Sequence, residues 1–208
     1  MTIAQAPVER RVVLDNVSWD FYQRMRAEVG DGHVKLIFDE GRLEIMSPSN
    51  LHEQVKTVLA RVIEAYADAA GIVLEGLGST TISREDLLKG LEPDECYYVA
   101  RAAEIIGKEK LDLAIDPPPD LAIEIDISRP EVARQPIYAA MGVPEVWRYD
   151  GSRLHFLRRR DDDRYEVVQR SLALPDLPLE QLNRFIDIGL TKGQSAAVGA
   201  MREWLRGR

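Results

Sequence analysis

Four carboxylates carry the chemistry legible in this chain. Asp94 ends the triplet Glu92-Pro93-Asp94, and Glu124 and Asp126 stand two residues apart in the run Asp120-Leu121-Ala122-Ile123-Glu124-Ile125-Asp126-Ile127-Ser128. Read as a strand, that run puts Asp120, Ala122, Glu124, Asp126 and Ser128 on one face and Leu121, Ile123, Ile125 and Ile127 on the other, because side chains alternate. Carboxylates rarely enter a sheet unless they are solvated, paired or bound to a metal. The acidic face is therefore open to water or the wall of a site for a hard cation. Mg²⁺ and Mn²⁺ take oxygen ligands and share them with water and phosphate oxygens. Such an ion acidifies its water and stabilises charge on a transferring phosphoryl group. Asp94, Glu124 and Asp126 form the best constellation, provided the strands bearing them are neighbours. Glu44 is a fourth acid, acting directly or through water. Solvated edge acids and surface ion pairs are the competing account, and residue types alone leave both open. Asp120, preceded by three prolines, reads instead as a residue that shapes the entry turn.

The elements that must position these acids follow from hydrophobic period and punctuation. Residues 1–17 show no firm period. Ser18 caps a helix reaching about Glu28. Residues 33–38 and 42–46 flank Asp39-Glu40-Gly41 as an antiparallel hairpin, with Glu44 on the face opposite Leu43 and Ile45. Asn50, with Glu53 as its capping-box partner, opens a helix whose stripe Leu51, Val55, Val58, Leu59, Val62, Ile63 and Tyr66 covers a sheet. Gly71 stops it. Short strands are predicted at 72–75 and near 79–82, a short helical segment from Ser83, and an aromatic strand over 95–99. After the acidic strand come a helix within 131–141, a strand over 145–149, the Asp150-Gly151 turn and a return strand over 153–157. An outer strand at 165–168, a short helix near 179–188 and a further segment around 201–205 complete the chain. The order is α/β or α+β with a mixed central sheet.

The 208 residues are 45% hydrophobic and 30% charged, the range of a single globular domain. No stretch reaches the apolar length of a membrane span, and the N-terminus lacks the basic and apolar regions of a signal peptide, so no membrane partner and a cytoplasmic address are expected. The single cysteine, Cys96, excludes an internal disulfide and a thiolate zinc cage. A net charge of −8 argues against broad adhesion to nucleic acid. A local basic rim and bound cations can offset it.

Several short motifs in fixed order go further: Gly41-Arg42-Leu43-Glu44-Ile45-Met46-Ser47-Pro48-Ser49, then His52, Glu92-Pro93-Asp94, Pro119-Asp120-Leu121-Ala122-Ile123-Glu124, and Tyr138-Ala139-Ala140-Met141-Gly142-Val143-Pro144-Glu145-Val146-Trp147. Over roughly residues 18–170 the chain resembles the putative restriction endonuclease family abundant in cyanobacteria, within the PD-(D/E)XK nuclease superfamily. The resemblance implies a restriction-endonuclease-like core in residues 18–190, with a mixed central sheet flanked by helices and an N-terminal β-hairpin. Residues 1–17 then form a preceding segment and 191–208 a tail with a short helix. It implies Mg²⁺-dependent hydrolysis of a DNA phosphodiester, with Mn²⁺ as a substitute, by an activated water. Asp94 and Glu124 match the acids of the two half-motifs, and Glu44 matches an acid contributed earlier in the fold.

The chain departs from the pattern two residues after Glu124. The superfamily places a lysine there, to position water and offset charge on phosphate; this chain has Asp126, which can bind metal or accept a proton but donates no cationic contact. In the family a lysine commonly stands four residues before the tyrosine matched by Tyr138, and here that position is Arg134. Its guanidinium can clamp phosphate but is a poor proton acceptor. Gln135 can orient water. His52 is a candidate phosphate contact or proton shuttle; His33 and His155 belong to outer or half-exposed strands. Arg153, Arg158, Arg159, Arg160 and Arg164 surround Asp161-Asp162-Asp163 and read as a solvated turn ahead of a DNA-binding edge. Trp147 and Tyr149 pack or line an interface, whereas Tyr97, Tyr98 and Trp204 are aromatic material for a homodimer. Three function classes result: a metal-dependent DNA nuclease, a degenerate nuclease-fold module binding nucleic acid or protein, and a structural interaction domain.

Overall fold

In the computed structural model, which describes residues 9–30, 32 and 34–208, the predicted strands assemble into two sheets. In chain order the elements are β1 (Arg10–Leu14), α1 (Trp19–Val29), β2 (Lys35–Asp39), β3 (Arg42–Ser47), α2 (Asn50–Ala70), β4 (Glu75–Gly76) and β5 (Ile82–Arg84). There follow β6 (Lys89–Leu91), β7 (Glu95–Tyr98), α3 (Ala102–Ile105), β8 (Leu121–Ile125) and α4 (Arg134–Met141). The chain ends with β9 (Glu145–Tyr149), β10 (Leu154–Arg159), β11 (Tyr165–Val168), α5 (Leu179–Lys192) and α6 (Gln194–Arg206). One sheet has the order β1-β3-β2-β6-β5 and is antiparallel throughout; the other has the order β11-β10-β9-β8-β7-β4. In the second, β8 and β9 run parallel, as a strand–helix–strand crossover through α4 requires.

The alternation of β8 assigns its two faces. Leu121, Ile123 and Ile125 join Val55, Val58, Val62, Trp147 and Phe156 in the core beneath α2, α5 and α6. Ala122, on the opposite face, packs with Ile137, Tyr138 and Met141 of α4 and with Ile37, Met46, Ile82 and Leu91 of the first sheet. The acid-bearing face is thus buried between two layers rather than open to water: Glu124 is 3% and Asp126 6% exposed. Burial of this kind obliges the carboxylates to find partners.

Several expectations are refined by hydrogen bonding. Helix α2 is capped by Ser49, whose hydroxyl accepts from the His52 N–H, and not by Asn50. The strand expected at 72–75 shrinks to Glu75–Gly76, and β6 emerges where the sequence suggested only a lead-in to Asp94. The tail carries a full helix, α6, because Ala197, Val198 and Met201 fall on one buried face against α2 and α5. Helices α2 and α5 approach so closely that a Cβ on Gly189 would stand 2.5 Å from a Val58 methyl. Arg10–Leu14, in the stretch without period, pairs along its whole length with β3. Tyr97 and Tyr98 are buried within the chain, and Trp204 packs on Tyr66 and Phe185, so these aromatics do not form the exposed patch expected of a dimer contact.

Candidate active site

The parallel register of β8 and β9 sets Glu124 beside Arg148, and α4 crosses above them. Arg134 and Tyr138, four residues apart, lie on one face of that helix. The Tyr138 hydroxyl donates to Glu124 Oε1, and the Arg134 guanidinium bonds Asp126 Oδ1 while lying 3.0 Å from Glu124 Oε2. Arg148 Nε lies 3.2 Å from Asp126 Oδ2, and its side chain remains 42% exposed. These groups, with Gln135 and Arg129, line an open cavity of about 450 Å³. The buried Glu124 and Asp126 carboxylates thus share a lining with Arg129, Arg134, Arg148 and the exposed Glu131, around a space large enough for a phosphodiester.

Burial decides the protonation of the acids. Desolvation raises the Glu124 carboxyl to about 7 despite the opposing Arg134 charge, and the neighbouring Asp94 anion adds to the rise. Asp126 is also raised by burial, against the pull of Arg134 and Arg148. Arg134 is held charged: its burial is outweighed by Glu124 and Asp126, which raise its pKa. A carboxyl near neutrality beside fixed cations is suited to accept a proton from water.

Asp94 directly precedes β7, the strand paired with β8, and does not border the cavity. Its N–H donates to the Ile123 carbonyl at 2.9 Å, and its Oδ2 accepts from the Ile125 N–H at 2.6 Å. Lys35 of β2 bonds the other oxygen, which also receives His52 Nε2 at 2.7 Å. Burial works to protonate Asp94, but Lys35 and His52 hold its pKa well below the usual carboxylate range. His52 is itself fully buried, with Nδ1 2.7 Å from Glu9 Oε1. Burial opposes its charge, yet Asp94 and Glu9 raise its pKa to about 9, so it is an imidazolium enclosed between carboxylates. It does not border the cavity, which corrects the expectation of a phosphate contact.

The remaining predicted residues divide. Glu44 accepts from the Glu131 and Val132 N–H groups at 2.9 and 2.7 Å and pairs with Arg11, so it shapes the loop before α4 rather than joining the other acids. Asp120 accepts from the Val99 and Arg101 N–H groups and pairs with the Arg101 side chain, the turn-shaping role its prolines suggested. Arg159 and Arg160 pair with Asp163 and Asp162, and His155 with Asp150, so part of the positive charge of the arginine-rich region is offset within it. Trp147 is buried, stacked on Phe156 and bonded to Glu145, which leaves it unable to stack on a base. His33 lies outside the described residues, as do residues 1–8.

Sequence reasoning missed Glu9, Arg11, Lys35 and Arg148. A signal existed for Lys35: a lysine inside the apolar run Val34-Lys35-Leu36-Ile37-Phe38 demands a buried anion. Arg148, flanked by Trp147 and Tyr149 in a strand, carried the same signal. Nothing local marked Glu9 or Arg11.

Among the described residues, no three or more His, Cys, Asp or Glu side chains converge as a metal cage. Mg²⁺ does not need one. It is commonly held by one or two carboxylates, waters and substrate phosphate oxygens. Glu124 and Asp126 supply two such carboxylates at the cavity, and the donor chemistry fits that ion.

The comparisons with known proteins bear on the family of the chain. A family model described as Uma2, putative restriction endonuclease, matches residues 19–190. Among solved structures, a crystal structure described as a putative nuclease belonging to DUF820 from Anabaena variabilis matches with 15% sequence identity and a TM-score of 0.46, covering 73% of this chain and 90% of that one. Those values are too low to transfer anything to this chain. No curated protein matches. No helix of the described residues is long and apolar enough to cross a membrane.

Proposed function

The chain belongs to the Uma2 family of putative restriction endonucleases, and from that premise we propose that it is a DNA endonuclease that hydrolyses phosphodiester bonds with an activated water and requires Mg²⁺ or Mn²⁺. The observation that carries the proposal is the cavity in which Glu124, with its pKa raised to about 7, and Asp126 face Arg129, Arg134 and Arg148. Glu124 and Asp126 would hold the divalent ion. When bound, that ion lowers the pKa of a water and offsets charge on phosphate.

The chain's own residues divide the rest of the work. Arg148, whose side chain is partly exposed, holds a phosphate oxygen; Arg129 at the rim adds a second positive contact. Arg134, bonded to both cavity acids, offsets their mutual repulsion and fixes their orientation. Tyr138 orients Glu124 by its hydrogen bond, and Gln135 orients the attacking water. The negative ends of this constellation sit inside a protein of net charge −8, so binding relies on local arginines and falls with salt. A cytoplasmic setting accompanies this reading.

One observation favours a second reading, a module that binds nucleic acid without cutting it. Asp126 occupies the position of the superfamily lysine, and Arg134 is already engaged by both acids. Cleavage of linear, supercoiled and single-stranded DNA with Mg²⁺ or Mn²⁺ separates the two. The nuclease reading expects wild-type cleavage and a loss of at least about 100-fold in Glu124→Gln, which removes a carboxylate that would hold the water-activating ion. Retained DNA binding without cleavage selects the binding module. Unchanged cleavage in folded Glu124→Gln and Asp94→Ala rejects the site.

A further inference from the structure

We propose that Glu9, just before β1, and Arg11, within it, both outside the region matched by the family model, are positioning residues that complete the site. Glu9 acts on Asp94 through His52, and Arg11 acts on the cavity rim through Glu44. The proposal rests on the nuclease reading for what the site does, but not for how it is held.

Both side chains are enclosed, Glu9 completely and Arg11 to 8% exposure. Glu9 Oε1 lies 2.7 Å from His52 Nδ1, while the opposite ring nitrogen is 2.7 Å from Asp94 Oδ1. An imidazole bonded at both nitrogens cannot rotate about its ring axis without losing two buried hydrogen bonds, so Glu9 fixes the direction in which His52 meets Asp94. Glu9 Oε2 accepts from the Ser128 N–H at 3.0 Å and its hydroxyl at 2.7 Å. Ser128 stands two residues after Asp126, where β8 has just ended.

Arg11 continues the clamp across the same loop. Its Nε donates to the Ser128 hydroxyl at 3.2 Å and Nη2 to the Ser128 carbonyl at 3.3 Å. Its Nη1 pairs with Glu44, whose other oxygen accepts from the Glu131 and Val132 N–H groups. Arg129, Pro130, Glu131 and Ala133 of this loop form one wall of the cavity, and Arg134 follows directly. Strand β1 therefore ties down both ends of the segment between Asp126 and Arg134, and it also braces Asp94 from behind. Neither Glu9 nor Arg11 borders the cavity, so neither touches a ligand there.

The test uses the full chain and reads structure and reaction separately. In wild-type protein, NMR of the histidine ring should find a slowly exchanging Nδ1–H on His52. In Glu9→Ala this proton should be lost and the Ile125 amide resonance displaced, because that N–H donates to Asp94. Glu9→Gln, which keeps an oxygen acceptor for His52, should restore part of both signals and serves if Glu9→Ala does not fold. In DNA cleavage, kcat of Glu9→Ala should fall at least tenfold with KM within twofold, and Glu9→Gln should recover part of kcat. Arg11→Ala should shift the Ser128 and Val132 amide resonances.

Absence of the His52 ring proton in wild type overturns the proposal. So does an unmoved Ile125 amide in the folded Glu9 variants, or an unchanged kcat once the ring proton is lost. If wild type binds but never cleaves DNA while the resonances move as expected, the positioning claim stands and the nuclease reading fails.

Discussion

Asp126 makes the site unlike a simple acid pair. Its carboxylate is buried between two guanidinium groups, and Arg134 shares itself between Asp126 and Glu124. Removing one member of such a group leaves an uncompensated buried charge, which costs more than the pair contributes. Asp126→Ala is therefore expected to destabilise the fold by about 3 kcal/mol in urea denaturation. Arg148→Ala should have the opposite profile. Its outer face is solvated, so stability should change by less than about 0.5 kcal/mol. If it holds phosphate, KM for DNA should rise about tenfold, the effect of losing about 1.4 kcal/mol of binding, and the salt dependence of binding should become shallower. An unchanged KM would remove Arg148 from substrate binding. The placement of Glu124 and Asp126 on one face of β8 was legible because strand alternation is local. Arg148 was not, since its partner lies 22 residues back and meets it only through the parallel pairing of β8 with β9.

Elements rather than single residues decide how firmly the site is held. Helix α2 delivers His52 from its first turn and then packs along α5 and α6, so its placement fixes the rear wall behind Asp94. The contact with α5 has no room for a methyl: Gly189→Ala would force the helix away from Val58, and a loss of about 1–3 kcal/mol is expected. Thermal denaturation checks it, and a neutral result would mean that the two helices slide apart at little cost. Strand β1 contributes through charge. Burial pushes the Glu9 carboxyl up, but hydrogen bonds from His52, Ser128 and Arg11 outweigh it and lower the pKa from 4.5 to about 2. A depressed carboxyl stabilises the fold above its unfolded pKa and loses that contribution as pH falls through the folded value. Metal-free wild type should accordingly lose stability between pH 4.5 and about 2, and Glu9→Gln should be less stable near neutrality with a flatter acid limb. Equal acid limbs in the two proteins would show that Glu9 is not ionised in this network. The period of α2 and the hairpin turn were readable; the pairing of β1 was not, because Arg10–Leu14 matches β3 and carries little pattern of its own.

Across the whole molecule, the site lies at the seam between two sheets. Ile37 and Met46 of one sheet and Ala122 and Val146 of the other share a cluster with Ile137 and Tyr138 of α4. Buried polar contacts cross the same seam, Lys35 to Asp94 and Arg11 to the Ser128 carbonyl among them. Separating the sheets would expose both, so the chain should unfold as one cooperative unit. Tryptophan fluorescence and far-UV circular dichroism should give coincident urea transitions, since Trp19 of α1 packs on Phe38 of the first sheet and Trp147 lies in the second. Two separated transitions would show that the sheets are independent. The α/β class, the alternation along β8 and the helix that covers the sheet were readable along the chain, because each follows from a short-range period or a turn; the adjacency of β7 and β8 was a condition that their pairing meets. Which cation meets which acid was not readable along the chain. That choice depends on strand order, on the crossover through α4 and on a first strand that reaches Ser128, 119 residues away from Glu9. Buried charges pair by distance in space, and no local period along the chain encodes that distance.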